Sequence, residues 1–338
     1  MSSQTTDPKF KPEDRTLDQA LRPKTWDEYI GQDKVKTNLR ILIEAAKRRS
    51  EPIDHLLLYG PAGLGKTTLA YIIAREMQAN IKITSGPAIE KVGDLASVLT
   101  NLNAQDILFI DEAHRLNKMV EEILYPAMEN RILHIIIGKG PSARTLQLDL
   151  PPFTLIAAST RIGLLSSPLR SRFGATFRLD FYNKQDIEKI LERSSQLLGI
   201  SCDSDALEFI AKSSRFTPRV ANRLLKRARD YAQVEGRGYI DKAAAQKALG
   251  LLEIDHQGLE PTDRKLLEAI IKKFNGGPVG LQALAASTSE EIETIEDIYE
   301  PYLMQLGFLQ RTPRGRIATR LAYDHLGLAL PLENPNLL

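Results

Sequence analysis

The stretch HLLLYGPAGLGKTT, His55 to Thr68, leaves a chain few folds to choose from. An apolar run enters a glycine-rich turn that matches G-x-x-x-x-G-K-[ST] at Gly60, Gly65, Lys66 and Thr67, with Thr68 following. Leu56, Leu57 and Leu58 read as a short buried strand, and Leu69, Ala70, Ile72 and Ile73 fall at helical spacing beyond the turn. The motif therefore joins a strand to a helix. Gly60, Gly63 and Gly65 let backbone N–H groups turn inward on a phosphate, and the new helix adds the positive end of its dipole. Lys66 is expected to reach the β and γ phosphates of a nucleotide, and the Thr67 hydroxyl to ligate Mg²⁺.

The rest of the first half reads as the sheet this loop needs. Residues 33–49 have helical periodicity through Val35, Leu39, Leu42 and Ile43. A β-branched strand is expected at 81–84, a helix near 88–101 and a strand at 106–110 that runs into Asp111 and Glu112. Strands alternating with helices at this spacing argue for a parallel α/β sheet with helices on both faces. Asp111, at the carboxyl end of a buried strand, would hold Mg²⁺, and Glu112 would orient or deprotonate the attacking water. The strand expected at 154–160 ends in Ser159 and Thr160, at the edge where open α/β sheets bind ligands, so Thr160 is placed to sense a γ-phosphate. Beyond it, SPLRSRFG puts Arg170 and Arg172 on a short exposed helix or turn.

Residues 132–150 interrupt this pattern. Two apolar runs flank GKGPSAR, a β-hairpin signature, and Leu146, Leu148 and Leu150 alternate with polar residues. Either this hairpin lies back on its domain or its apolar face awaits a partner.

From Lys184 onward the pattern is helical. One helix opens at Thr217-Pro218-Arg219, with threonine as cap and proline in the first turn, and Arg219 there could reach the phosphates. The bundle would form a lid, and residues 254–261 look like a linker. Three further helices and a hairpin over 308–319 suggest a winged helix. Its expected recognition helix carries Glu290, Glu291, Glu293, Glu296, Asp297 and Glu300, which would repel it from the major groove. The wing carries Arg311, Arg314, Arg316 and Arg320, a set suited to phosphate contact without base reading.

Composition narrows the function classes. Lys plus Arg total 45 against 43 for Asp plus Glu, so with a net charge of +2 any nucleic-acid surface has to be local. Cys202 is the only cysteine, which excludes an internal disulfide and a cysteine-based zinc cluster. The polar N-terminal stretch has no signal-peptide core, and no apolar run reaches the roughly 18 residues of a membrane span. A cytoplasmic protein with no membrane contact is expected.

GPAGLGKTT, LFIDEAHRL, IGKGPSAR, SPLRSRFG, TPRVANRLL and RTPRGR, in this order, resemble the RuvB family of AAA+ ATPases, motors of bacterial Holliday-junction branch migration. The resemblance runs from about Leu21 to about Leu326 and is specific, because the hairpin and wing motifs are not general to AAA+ proteins. It implies a tail at 1–20, a large ATPase domain at 21–182, a helical lid at 183–255 and a winged-helix DNA-binding domain at 256–338. It also implies a hexameric ring that encircles duplex DNA at Holliday junctions and hydrolyses ATP with Mg²⁺, in recombination and repair. The RuvA partner would meet the 132–150 hairpin, with the RuvC resolvase as a further partner. By the same resemblance Leu21, Arg22, Gly63, Gly65, Lys66, Thr67, Thr68, Tyr182 and Arg219 contact nucleotide. Thr160 is the first sensor, Arg172 the finger reaching a neighbour's γ-phosphate, and Arg311, Arg314 and Arg316 the DNA contacts. The chain departs from the family's pattern at Ala62, Ala113, Ser159, Asn130 and Arg131. The competing readings are a clamp loader or replication initiator on the same fold, and a protein-remodelling unfoldase. The lone cysteine speaks against the zinc module of bacterial clamp loaders, the acidic helix against an initiator, and the absence of an aromatic in SGPAIE against an unfoldase pore loop.

Overall fold

The computed structural model describes residues 19–137, 144–235 and 238–330. Most of the tail expected over 1–20 and the tip of the 132–150 hairpin lie outside the described residues. The described residues divide into two compact units, one within 19–60, 65–180 and 196–199, the other within 61–64, 181–195 and 200–330.

The first unit is the expected parallel sheet. Its strands are β1 (Leu56–Tyr59), β2 (Ile81–Ser85) and β3 (Ile107–Asp111). A hairpin of β4 (Ile132–Ile137) and β5 (Arg144–Asp149) follows, then β6 (Thr154–Ser159) and β7 (Ala175–Arg178). The five core strands lie in the order β2-β3-β6-β1-β7, all parallel. Its helices are α1 (Asp33–Arg49), α2 (Lys66–Glu76), α3 (Val92–Thr100), α4 (Lys118–Asn130) and the single turn α5 (Ser167–Arg170). Leu57, Leu108, Ile110, Leu155 and Ala157 share one core with the inner faces of α3 and α4. Their strand neighbours Leu56, Leu58, Phe109 and Ile156 are equally buried. Because alternate strand residues point to opposite faces, both faces of the sheet are covered. After β1 the chain crosses past β6 and β3 to reach β2, while β7 returns to the other side of β1. That reversal of direction opens the crevice at the carboxyl ends of β1, β3 and β6.

The hairpin divides along its length. Leu133, opposite Leu148, is fully buried, Leu150 is buried, and Ile135 and Leu148 pack against the same core as α4. Leu146 is 42% exposed. Its base thus lies back on the domain, and of the three alternating leucines one remains for a partner. Arg131, in a left-handed conformation (φ 57°), closes the base by accepting the Leu150 N–H at its carbonyl, 2.7 Å away.

The second unit holds α6 (Lys184–Leu197, whose last two residues fall in the first unit), α7 (Ser204–Lys212), α8 (Pro218–Val234) and α9 (Lys242–Leu251). The helices-only expectation missed a two-residue parallel pair, β8 (Ser201–Cys202) with β9 (Tyr239–Ile240). The cap at α8 differs as well: the Thr217 hydroxyl bonds the Ser214 carbonyl at 3.4 Å rather than a helix N–H. Residues 254–261, read as a linker from their turn residues, form a fixed turn. The Asp255 carboxylate accepts the Gln257 and Leu259 N–H groups, both at 2.9 Å. Gly258 (φ 76°) lies so close to Ser213 that a Cβ would meet its carbonyl oxygen at 2.5 Å. The winged helix follows with α10 (Pro261–Glu268), α11 (Leu281–Thr288), a helical run from Ile292 that ends in α12 (Glu300–Gln305), the antiparallel wing β10 (Leu309–Thr312) and β11 (Gly315–Ala318), and α13 (Arg320–Leu326). Leu267, Ile270, Leu284, Ile295, Tyr302, Leu309 and Tyr323 form its core. No helix among the described residues is long and apolar enough to cross a membrane.

Candidate nucleotide site and wing

Strand β1 delivers the chain to Gly60, whose φ of 138° suits only glycine and whose Cβ would lie 2.2 Å from the Leu179 carbonyl oxygen. Gly65 (φ 95°) faces the Tyr29 hydroxyl, 2.9 Å from where a Cβ would stand. The loop is thus clamped between β7's exit and the buried Tyr29, a contact the sequence did not announce. Lys66 is buried, and its Nζ donates to the Gly60 carbonyl at 2.6 Å, which keeps the ammonium inside the loop.

Thr67 and Asp111, assigned to Mg²⁺ from separate motifs, are brought together: the Thr67 hydroxyl donates to Asp111 Oδ2 at 3.5 Å. No cluster of three or more His, Cys, Asp or Glu suited to a metal exists among the described residues. Two hard oxygen donors do fit a cation that takes its remaining ligands from water and phosphate. Glu112 follows in a left-handed conformation (φ 49°), its side chain 49% exposed and 3.5 Å from Arg115. The turn is possible because Gly86, at the end of neighbouring β2, leaves room. A Cβ there would be 2.3 Å from the Glu112 carbonyl oxygen. Sequence reasoning passed over Gly86, although a glycine directly after a core strand signals close backbone approach.

At the end of β6, Ser159 is buried with its hydroxyl 3.2 Å from His114 Nδ1, while accepting the Arg161 N–H at 3.0 Å. Thr160 is the next residue, past the strand. Leu21 is buried, and Arg22 lies over the Tyr71 ring, 5.6 Å from its centroid. Arg22, Lys24, Thr68, Tyr71 and Arg75 line a cavity of about 400 Å³.

In the second unit Tyr182 and Arg219 gather at residues 61–64 of the phosphate loop. The Tyr182 hydroxyl donates to the Leu64 carbonyl at 3.3 Å, and a Cβ on Gly63 would stand 3.1 Å from that of Arg219.

Arg172 is held within its own chain. Its Nε lies 3.1 Å from Glu129, its Nη1 donates to the Pro168 carbonyl at 2.6 Å, and its guanidinium stacks 4.5 Å from the Tyr125 ring centroid.

Arg311 and Arg316 of the wing likewise have partners in the chain. Arg311 pairs with Glu296 at 3.0 Å and Glu300 at 2.9 Å. Arg316 pairs with Glu296 at 3.3 Å and also binds Glu300 through its Nε. The Glu300 side chain is 3% exposed, that of Arg316 12% and that of Arg311 50%. Arg314, at the turn between β10 and β11, is exposed. The acidic helix thus carries the counter-charge of the wing, and Arg316 is an internal strut rather than an open cation.

Comparison with known proteins agrees with this architecture in all three parts. Residues 21–179 match the family profile described as the Holliday junction DNA helicase RuvB P-loop domain, 182–255 the RuvB AAA lid domain and 256–327 the RuvB C-terminal winged helix domain. The chain is 59% identical over 326 residues to the Holliday junction branch migration complex subunit RuvB of Dehalococcoides mccartyi (strain CBDB1), covering 96% of this chain and 93% of that protein. The solved Thermotoga maritima RuvB Holliday junction branch migration motor is similar with a TM-score of 0.86 and 52% identity, over 92% of this chain and all of that one. A single-substitution variant of it gives a TM-score of 0.85 at the same 52% identity and 92% coverage.

Proposed function

This chain belongs to the RuvB family, ATP-driven motors of Holliday-junction branch migration, and from that premise we propose how its residues carry out the work. The phosphate loop from Gly60 to Thr68 cradles the ATP phosphates, with Gly63, Gly65 and Thr68 supplying backbone N–H groups and Lys66 neutralising charge. Leu21, Arg22 and Tyr182 also contact the nucleotide, and Arg219 reaches its phosphates. Thr67 and Asp111 would hold Mg²⁺, which neutralises phosphate charge when bound. Glu112 orients or deprotonates the attacking water, Thr160 reports the γ-phosphate, and Arg172 reaches the γ-phosphate of a neighbouring subunit. The chain acts as a hexameric ring around duplex DNA in the cytoplasm, with RuvA docked on the hairpin near Leu146 and RuvC as a further partner. Its domains follow residues 21–182, 183–255 and 256–338. On the wing, Arg311, Arg314 and Arg316 are the phosphate contacts, Arg311 and Arg316 by exchanging Glu296 and Glu300 for DNA, with Arg316 also holding the wing to its helix.

The observation that carries this reading is the meeting of Thr67 with Asp111 beside the left-handed turn that presents Glu112. Lys66 acts on phosphate in both ground and transition states, whereas Glu112 acts only on water. Lys66→Ala is therefore expected to lose tight ATP binding, and Glu112→Gln to bind ATP while hydrolysing and migrating junctions far more slowly. Equal loss of binding in both variants would sink the role of Glu112.

A further inference from the structure

The residues 215–219 touch the phosphate loop at one end and the core of the winged helix at the other. Arg215 is buried, donates from Nε to the Gly258 carbonyl at 3.2 Å, and binds Asp263 through its Nη2. Its guanidinium also lies over the Tyr302 ring, 5.2 Å from the centroid. Phe216 packs into the winged-helix core, its ring 6.4 Å from that of Tyr302. On its backbone side the Phe216 carbonyl accepts the Tyr182 N–H at 3.0 Å, and Tyr182 holds the Leu64 carbonyl through its hydroxyl. Thr217 and Arg219 close on Gly63, whose Cβ would meet theirs at 3.6 and 3.1 Å. A second tie runs parallel to the first, from Arg223 to Glu260 at 2.6 Å.

We propose that residues 215–219 form a strap that transmits the state of the phosphate loop to the winged helix, with Arg215 and Asp263 as its positioning residues. Three features make a stiff connection of what would otherwise be a hinge. Arg215 and Phe216 both occupy the left-handed region, at φ 53° and 51°, a conformation two successive non-glycine residues keep only when their surroundings impose it. The 254–261 turn is held by its Gln257 and Leu259 N–H groups donating to the Asp255 carboxylate, and is pressed onto Ser213 at Gly258. The Asp263 carboxylate is fully buried and also accepts the Glu260 N–H at 2.7 Å, so Arg215 is anchored at the first turn of α10. A displacement of Gly63 or Leu64 by nucleotide thus moves Phe216 and, with it, the domain that carries the wing. The inference rests on the motor reading above, because it assumes nucleotide at the loop and DNA at the wing.

Coupling between two sites is reciprocal and measurable as the factor by which one ligand changes the affinity of the other. The double variant R215Q/D263N removes the ion pair without leaving either charge buried alone, and a thermal melt establishes that it folds. Burial pushes the Asp263 carboxyl up to about 6, with Arg215 pulling the other way, so measurements at about pH 8 keep the wild-type pair ionised. Duplex affinity is read by anisotropy with and without a non-hydrolysable ATP analogue, and amide exchange is followed at residues 255–263. The variant is expected to bind analogue and duplex separately within about twofold of wild type, while the factor linking them falls toward one. Analogue-dependent protection at 255–263 should vanish with it. A folded variant that keeps the wild-type linkage factor and protection change overturns the strap, as does a wild-type chain with neither. Should the variant fail to fold, R215K, which keeps a donor to Asp263, is expected to show an intermediate factor, and an unchanged one overturns the proposal. Failure of duplex binding in the wild type strikes the motor reading instead, and leaves the exchange measurement to decide the strap.

Discussion

Removing Arg316 is expected to damage the winged-helix domain more than its grip on DNA, and removing Arg314 to do the reverse. Arg316→Ala takes away the closest partner of Glu300, whose side chain is 3% exposed. Orphaning one member of a buried ion pair costs about 3–5 kcal/mol, and because Arg311 stays 2.9 Å from Glu300 the loss belongs at the lower end, about 3 kcal/mol. At about 1.4 kcal/mol per factor of ten, the unfolded population of that domain rises on the order of a hundredfold. Arg314 is exposed, and its replacement by alanine should change stability by no more than about 0.5 kcal/mol. If it neutralises one phosphate, the slope of log affinity against log salt falls by about 0.9 per subunit engaged. Arg311, half exposed, has to leave Glu296 and Glu300 before it can serve a phosphate, so Arg311→Ala should lower the slope by less than Arg314→Ala. Urea denaturation followed by circular dichroism gives the stabilities, and anisotropy on unrelated duplexes across a salt series gives the slopes. An Arg316→Ala variant with wild-type stability and the largest loss of slope would refute the strut and make Arg316 the principal phosphate contact.

Two further outcomes follow from the geometry. Arg172→Ala should lower ATP turnover by about 10³ to 10⁵, the value of such a finger, and mixed rings of Arg172→Ala with Lys66→Ala subunits should regain turnover above either parent; rings that never do so would place Arg172 with its own chain's Glu129. His55 accepts the Leu155 N–H at Nδ1 (2.8 Å) and meets the Met128 carbonyl at Nε2 (3.1 Å), and burial, the largest cause, lowers its pKa. The folded chain therefore favours neutral imidazole. Its contribution to stability is complete above the unfolded value near 6.5 and is lost as pH falls below it, so urea midpoints should fall less steeply there for His55→Asn than for wild type.

What was legible in the sequence was what local chemistry determines. Glycines at Gly60, Gly63 and Gly65 carry positive φ, as a phosphate loop demands, and the buried runs at β1, β3 and β6 announce strands because burial on both faces leaves no room for polar residues. Asp111 and Thr67 could be assigned separately, each from its place at the end of an element. The partners of the cations were not legible. Glu129 for Arg172, and Glu296 and Glu300 for Arg311 and Arg316, belong to other elements, and nothing in spacing tells a solvated charge from one claimed across a fold. The acidic run over 290–300 therefore read as a helix repelled by DNA, when its carboxylates also neutralise the wing beside it.

The same reason hid the turn at Arg215. Ser213-Ser-Arg-Phe has no glycine or asparagine to invite a left-handed pair, so by local preference the chain should not turn there. Two such residues cost about 1–2 kcal/mol each. Burying much of the Phe216 side chain in the winged-helix core returns about 1.5–3 kcal/mol, and the Arg215 contacts with Asp263 and the Gly258 carbonyl come from that same domain. These magnitudes are comparable, so the turn stands only while the winged helix covers it. The lid helix that begins at Pro218, with Arg219 set against Gly63, thus takes its starting geometry from the domain that carries the wing. A linker at 254–261 would have left these two ends independent; the fixed turn found there makes them one energetic unit.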